Sequence, residues 1–154
     1  MLVDSIAFTL YRAMSGAVPD LVLKRIGIAS SRRRPEFYTL ERIVNEMPAV
    51  PGAVLECGVY RGATLLGMTH ILNRRGIRAR VMGFDSFEGF PEPVAKDAQD
   101  DGTLHPDVRA GALSDSWYDR LRRQITGLGW DDRIALAKGF FENTLHTISN
   151  ERFS

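Results

Sequence analysis

Residues 55–62 read LECGVYRG, an apolar run that closes on an acid, Glu56, and two glycines, Gly58 and Gly62, at the spacing E-x-G-x-x-x-G. Ala53, Val54 and Leu55 make a short buried strand, and the glycines let the chain turn tightly into a helix over residues 63–72. A glycine loop at the carboxyl end of a first strand is where open α/β sheets bind nucleotide-like cofactors. Missing side chains permit close backbone approach there, and a helix N-terminus offers N–H groups. The spacing is looser than the dinucleotide fingerprint, and the same two glycines also suit a plain strand-to-helix turn.

A second feature lies downstream. Residues 79–84, ARVMGF, read as another strand, which ends in Asp85 and is followed by Ser86, Phe87, Glu88 and Gly89. Asp85 comes 27 residues after Gly58, in the region where such folds place an acid against the ribose hydroxyls. Asp and Ser also cap turns with no ligand present, so both readings stand at this point.

The remaining elements alternate in the same way. Phe37, Leu40, Ile43, Val44 and Met47 mark a helix that stops at Pro48 and Pro51, and Gly76 ends the helix after the glycine loop. Residues 91–111, rich in Pro, Asp and Gly, form a long loop of the functional or disordered kind. Trp117, Leu121 and Ile125 mark a helix entered at Ser114 or Ser116, and Asp131 and Asp132 lead into a third strand, RIALAK, at 133–138. Thr144 is expected to cap the last helix, with Leu145 and Ile148 on its buried side. Ile6, Leu10 and Met14 recur at helical spacing, which predicts an amphipathic helix covering the domain, and Arg32, Arg33 and Arg34 read as a solvated approach to the next one. The expectation is an α/β, Rossmann-like open sheet, incomplete, with about three parallel strands and flanking helices. Residues 1–52 form a helical cap and residues 53–154 the α/β part of a single domain.

At 154 residues, 44% hydrophobic and 25% charged, the chain supports one globular core. A net charge of +1 argues against an electrostatic nucleic-acid surface. The N-terminal run is broken by Asp4 and Arg12, so it is no signal peptide, and no segment reaches the roughly twenty apolar residues of a membrane span. The lone cysteine, Cys57, excludes an internal disulfide, which points to a reducing, cytoplasmic setting; by itself it reads as a small buried hydrophobe.

LECGVYRG paired with GFDSFEGFPEP at 83–93 resembles the macrocin O-methyltransferase (TylF-like) family, class I methyltransferases that use S-adenosylmethionine. The similarity runs over roughly residues 33–148 and includes a GFFENTL run at 139–145. The resemblance implies that Glu56, Gly58 and Val59 line the methionine end of the cofactor, with Cys57 in the same loop. It assigns Asp85 to the ribose, with Ser86 and Phe87 beside it, and Gly139 and Phe140 to the neighbourhood of adenine; Ser114 matches a cofactor-contacting serine. The chemistry agrees, because this cofactor carries no phosphate and instead offers a diol, an aromatic base and a cationic sulfonium.

The long loop carries Asp97, Asp100, Asp101, His105 and Asp107. The resemblance makes His105 the general base, with Asp101 or Asp107 fixing its tautomer; a solvated loop histidine is the alternative. His70 and His146 read as structural. Asp97, Asp100 and Asp101 lack the pattern of a calcium loop and read as solvated, so no metal ligand is assigned. The resembled family uses a divalent metal, Mg2+, through acids after its fourth and fifth strands, and the sequence stops at Ser154. The reading is therefore of a cofactor-binding part, with the first strand an exposed edge open to pairing with a second copy. The functional expectation is O-methylation of a small, possibly glycosylated natural product. A noncatalytic S-adenosylmethionine-binding module or subunit, and an NAD-dependent Rossmann oxidoreductase, are the alternatives.

Overall fold

The computed structural model describes residues 34–47, 52–100, 102–106, 108–114 and 117–148. The expected helix around Leu10, the approach at Arg32 and Arg33, and Pro48, Pro51, Asp101, Asp107 and Ser116 lie outside the described residues. The chain runs α1 (Arg34–Glu46), β1 (Val54–Cys57), α2 (Ala63–Arg74), β2 (Val81–Asp85), a 3-10 turn (Ala95–Asp97), α3 (Tyr118–Gly127), β3 (Ile134–Lys138), α4 (Phe141–Thr144) and a second 3-10 turn (Leu145–Ile148). The strands form one parallel sheet in the order β1-β2-β3, with Val54 opposite Val81 and Val81 opposite Ile134.

β2 is the central strand, and Val81 and Phe84 on it are fully buried. α2, the connection from β1 to β2, buries Leu65, Leu66, Met68, Thr69, Ile71 and Leu72, because α1 covers the side that the sheet does not. Phe37 and Val44 of α1 point into this core. Ile43 and Met47, expected on the same apolar face, are exposed, and Glu41 takes the inward place instead. It is stable there because Arg74 Nη1 lies 3.1 Å from its carboxylate, and Arg75 donates to the carbonyl of Val44. A buried carboxylate needs such a partner to offset desolvation.

Glu56 and Cys57 belong to β1 itself, opposite Gly83 and Phe84, so the acid is a strand residue and not the start of the loop. Trp117, not a serine, precedes α3. Thr144 does not cap the last helix, which starts at Phe141; its hydroxyl donates back to the Phe140 carbonyl at 3.0 Å and is itself buried. Leu145 and Ile148 are half-buried.

Arg133, just before β3, ties the sheet to the α2–β2 connection. Its guanidinium donates to the carbonyls of Ile77 at 2.8 Å and Ala79 at 3.0 Å, and to the side chain of Asn73.

Candidate functional site

The loop between β1 and α2 takes three left-handed residues in five, Gly58 at φ +89°, Tyr60 at +50° and Gly62 at +77°. Three of its N–H groups turn inward. Gly58 donates to the Phe84 carbonyl at 2.8 Å and Gly62 to that of Val59 at 2.8 Å, while Tyr60 donates to Asp85 Oδ2 at 2.8 Å. These three donors are satisfied by the protein and are not offered to a phosphate. What it offers a ligand is close approach: a Cβ built on Gly58 meets nothing within 4 Å. At Gly62 the same atom would lie 2.4 Å from Leu121 Cδ1, so that glycine lets α3 pack on the loop.

Asp85 explains how non-glycine residues hold left-handed conformations here. Its Oδ1 accepts from the N–H of Phe87 at 2.7 Å, and Phe87 has φ +54°. Its Oδ2 accepts from Tyr60, another left-handed non-glycine residue of the site. A left-handed non-glycine residue costs about 1–2 kcal/mol, and a hydrogen bond to a charged group returns about 1.5–3 kcal/mol. The turn-capping reading of Asp85 is thus correct. It does not exhaust the carboxylate, which has acceptor capacity left and faces a cavity.

That cavity measures about 450 Å³. Its lining combines Gly58, Tyr60, Asp85 and Ser86 with the apolar Phe90, Pro91, Leu113, Phe140 and Phe141, and Cys57, Gly89 and Glu142 complete it. Gly139 adjoins it, donating to the Asp85 carbonyl at 3.0 Å. Ser86 Oγ donates to the Gly89 carbonyl at 2.8 Å, and Phe90 and Ala112 pair through backbone at 3.0 Å, which draws the far end of the long loop, and with it Leu113, over the opening.

Among the residues singled out in the sequence, Cys57, Gly58, Asp85, Ser86 and Phe140 line the cavity. Cys57 corrects the packing reading, since it is exposed and borders the opening. Val59 and Phe87 are buried in the core and contribute no side chain to the lining: Val59 fills the space over Gly83, and Phe87 packs edge-on against Tyr118 at 5.1 Å. Ser114 is exposed and outside the lining. His105 is also exposed and outside it, on the loop, with its carbonyl accepting from Val108 at 2.8 Å. Asp97 caps its own turn, accepting from the N–H of Val94 at 2.8 Å. Among the described residues, no three His, Cys, Asp or Glu side chains converge as a metal would require.

The sequence reading missed Tyr60, Phe90, Leu113, Phe141 and Glu142. Tyr60 had a signal, as the aromatic between the two loop glycines. Leu113 had none, because a backbone pairing across the loop brings it in.

Glu56 stands behind the cavity and not on its wall. Burial, then the charge of Asp85, pushes its carboxyl up from 4.5 to about 7, against the opposing hydrogen bond of Thr64. Its Oε2 is buried with no hydrogen-bond partner. The charge of Asp85 makes a second ionisation at Glu56 costly, and burial of Glu56 adds to that cost. His70 on α2 has its value lowered by burial and by Arg74, and its ring lies 6.5 Å from that of Trp130, away from the site.

An open parallel sheet with a cavity at the carboxyl ends of its strands, a glycine at the first strand and an acid at the second, defines a Rossmann-like cofactor-binding fold. A model of the family described as Macrocin-O-methyltransferase (TylF) matches residues 11–154, and the chain belongs to that family. Mycinamicin III 3''-O-methyltransferase of Micromonospora griseorubida is 34% identical over 109 residues, 68% of this chain and 42% of that enzyme. The 8-demethyl-8-(2,3-dimethoxy-alpha-L-rhamnosyl)-tetracenomycin-C 4'-O-methyltransferase of Streptomyces olivaceus is 32% identical over 110 residues, 70% of this chain and 41% of that enzyme. The chain thus spans about two-fifths of these relatives' length at the matched region. Among solved structures, the calicheamicin methyltransferase CalS11 superposes with a TM-score of 0.67 at 18% identity, covering 96% of this chain and 61% of that one. The O-methyltransferase NovP gives 0.56 at 23% identity, covering 96% and 69%. These two likenesses establish the fold.

Proposed function

We propose that this chain binds S-adenosylmethionine in the cavity at Gly58 and Asp85 and serves the O-methylation of a glycosylated small natural product. The observation that carries the reading is the combination at one cavity of an acid with spare acceptor capacity, a glycine with open space over it and an apolar wall. It suits a ligand with a diol and a flat base and no phosphate. The family and the names of the two curated relatives, both O-methyltransferases and one of them of a rhamnosyl compound, support the acceptor class.

In this reading Asp85 accepts from the ribose hydroxyls, Ser86 and Gly139 lie beside it, and Phe140 with Phe141 walls the base. Cys57 and Gly58 border the methionine end, with Glu56 behind them. The bound cofactor supplies an electrophilic methyl group, so the protein's task is alignment of the acceptor oxygen and removal of its proton. His105 is the base we assign, delivered by the loop whose ends are tied at Phe90 and Ala112. Val59, Phe87 and Ser114 would act through packing and loop shape and not by side-chain contact.

The three inward-facing N–H groups of Gly58, Tyr60 and Gly62 weigh against a nicotinamide dinucleotide, which needs donors for its pyrophosphate. No helix among the described residues is long and apolar enough to cross a membrane, and we place the protein in the cytoplasm on the strength of its single cysteine. Among the described residues β1 has β2 as its one neighbour, and we propose that its other side accepts a strand from a second copy. Light scattering checks this against the 17.2 kDa monomer mass. Calorimetry with S-adenosylhomocysteine and with NAD tests the cofactor: binding of NAD alone would overturn the reading.

A further inference from the structure

The glycine loop carries an arginine that the cavity does not use. Arg61 is exposed and outside the lining, yet its guanidinium carbon lies 4.9 Å from the ring centroid of Tyr60 and 4.8 Å from that of Trp117. Arg120 stacks on the same indole at 4.2 Å. Two aromatic rings and two guanidiniums therefore form a ladder from the cavity wall, where Tyr60 stands, to Trp117 at the start of α3. A planar guanidinium presents a stacking face to each ring, which the point charge of a lysine does not.

The ladder meets a specific need. The bond from the Tyr60 N–H to Asp85 fixes that residue's backbone in its left-handed conformation, but it leaves the side-chain torsions unset. A half-buried ring at a cavity mouth that is not held samples several rotamers, some of them across the opening. Arg61 lies over one face of that ring, and Trp117, at the start of α3, lies against the same guanidinium.

We propose that Arg61, backed by Trp117, is a positioning residue that sets the Tyr60 ring as a preformed wall of the cofactor cavity. The proposal rests on the adenosyl-cofactor reading for its choice of ligand and on nothing else in it. The ring is pre-organised, so binding loses less to ordering it.

Two measurements test it. In ligand-free protein labelled with 3-fluorotyrosine, the Tyr60 resonance, identified by its loss in Tyr60→Phe, should shift or broaden in Arg61→Gln and also in Trp117→Leu, with the Tyr38 resonance unchanged. Arg61→Lys should not restore it. Calorimetry with S-adenosylhomocysteine should then show affinity weakened about three- to fivefold in Arg61→Gln, the worth of an exposed cation–π contact. The loss should vanish in a Tyr60→Asn background, where asparagine tolerates the left-handed backbone but has no ring. A Tyr60 resonance indifferent to both Arg61→Gln and Trp117→Leu overturns the proposal, as does an Arg61→Gln loss that persists in full without the ring. Absence of adenosyl binding in the native protein would sink the cofactor reading, while the fluorine signal still decides whether Arg61 sets the ring.

Discussion

Replacing Glu56 by Gln removes a charge that the folded protein holds at a cost. The carboxyl is pushed up from 4.5 to about 7 by burial and by Asp85. A folded-state value above the unfolded one means that the native protein binds more protons than the unfolded chain between those two pH values. Stability therefore falls as pH rises from 4.5 to about 7 and levels off above. At about 1.4 kcal/mol per pH unit, the loss from this one group amounts to about 3 kcal/mol. Glutamine keeps the shape and cannot ionise, but its buried amide lacks a partner where Oε2 lacked one, which costs about 1–2 kcal/mol at every pH. Glu56→Gln should accordingly be less stable than the native protein near pH 5 and more stable by about 1–2 kcal/mol near pH 8. His70, whose value is lowered, works in the opposite sense, losing stability as pH falls below 6.5. Being common to both proteins it cancels in their difference. Urea unfolding of both proteins at pH 5, 6, 7 and 8 gives that difference directly. A difference that does not change with pH would refute the desolvated-carboxyl account.

Three left-handed glycines should respond differently to alanine. Gly76→Ala and Gly58→Ala meet no atoms and should each lose about 1 kcal/mol to backbone strain, with only Gly58→Ala weakening adenosyl binding. Gly62→Ala runs into the buried Leu121 and should lose about 2–4 kcal/mol, measured by thermal unfolding. Asp85→Asn should cost about 2–3 kcal/mol of stability in urea unfolding even without ligand, because two strained N–H groups lose a charged acceptor; unchanged stability would mean that Asp85 serves a ligand only. Arg133→Ala should cost about 1.5–3 kcal/mol by the same measurement, since it frees the carbonyls of Ile77 and Ala79. On the proposed reading, any turnover of hydroxylated glycosides by the native chain in a radiolabelled methyl-transfer assay should be lost in His105→Ala while S-adenosylhomocysteine binding stays intact; turnover equal in both proteins would return His105 to the role of a solvated loop residue.

The order of strands and helices was legible in the sequence because its signals are local. Apolar runs, glycines and prolines report on φ and ψ within a few residues, so the strand, glycine loop and helix at 53–72 could be read before any contact was known. Asp85 was legible for the same reason, as the acid ending a strand. Helix faces were less secure: Ile43 and Met47 carry the right period, but Glu41 took the inward place because Arg74, on another helix, was there to neutralise it.

The sense in which each side chain of the site points was not local information. Val59 and Phe87 are neighbours of cavity residues in sequence, yet both turn to the core, as the packing over Gly83 and against Tyr118 requires, while Cys57 is exposed on the cavity lining. Leu113 and Phe90 meet because two backbone groups pair across the long loop, a contact no periodicity encodes. The raised proton affinity of Glu56 and the grip of Arg61 on Tyr60 likewise exist only after strands and helices have docked. Desolvation and ring stacking act through space, and local sequence does not carry those distances. The amino-acid sequence by itself thus determined the kind of fold and the strand ends where a cofactor would sit. Tertiary packing alone decided which side chains wall the cavity and what charge stands behind it.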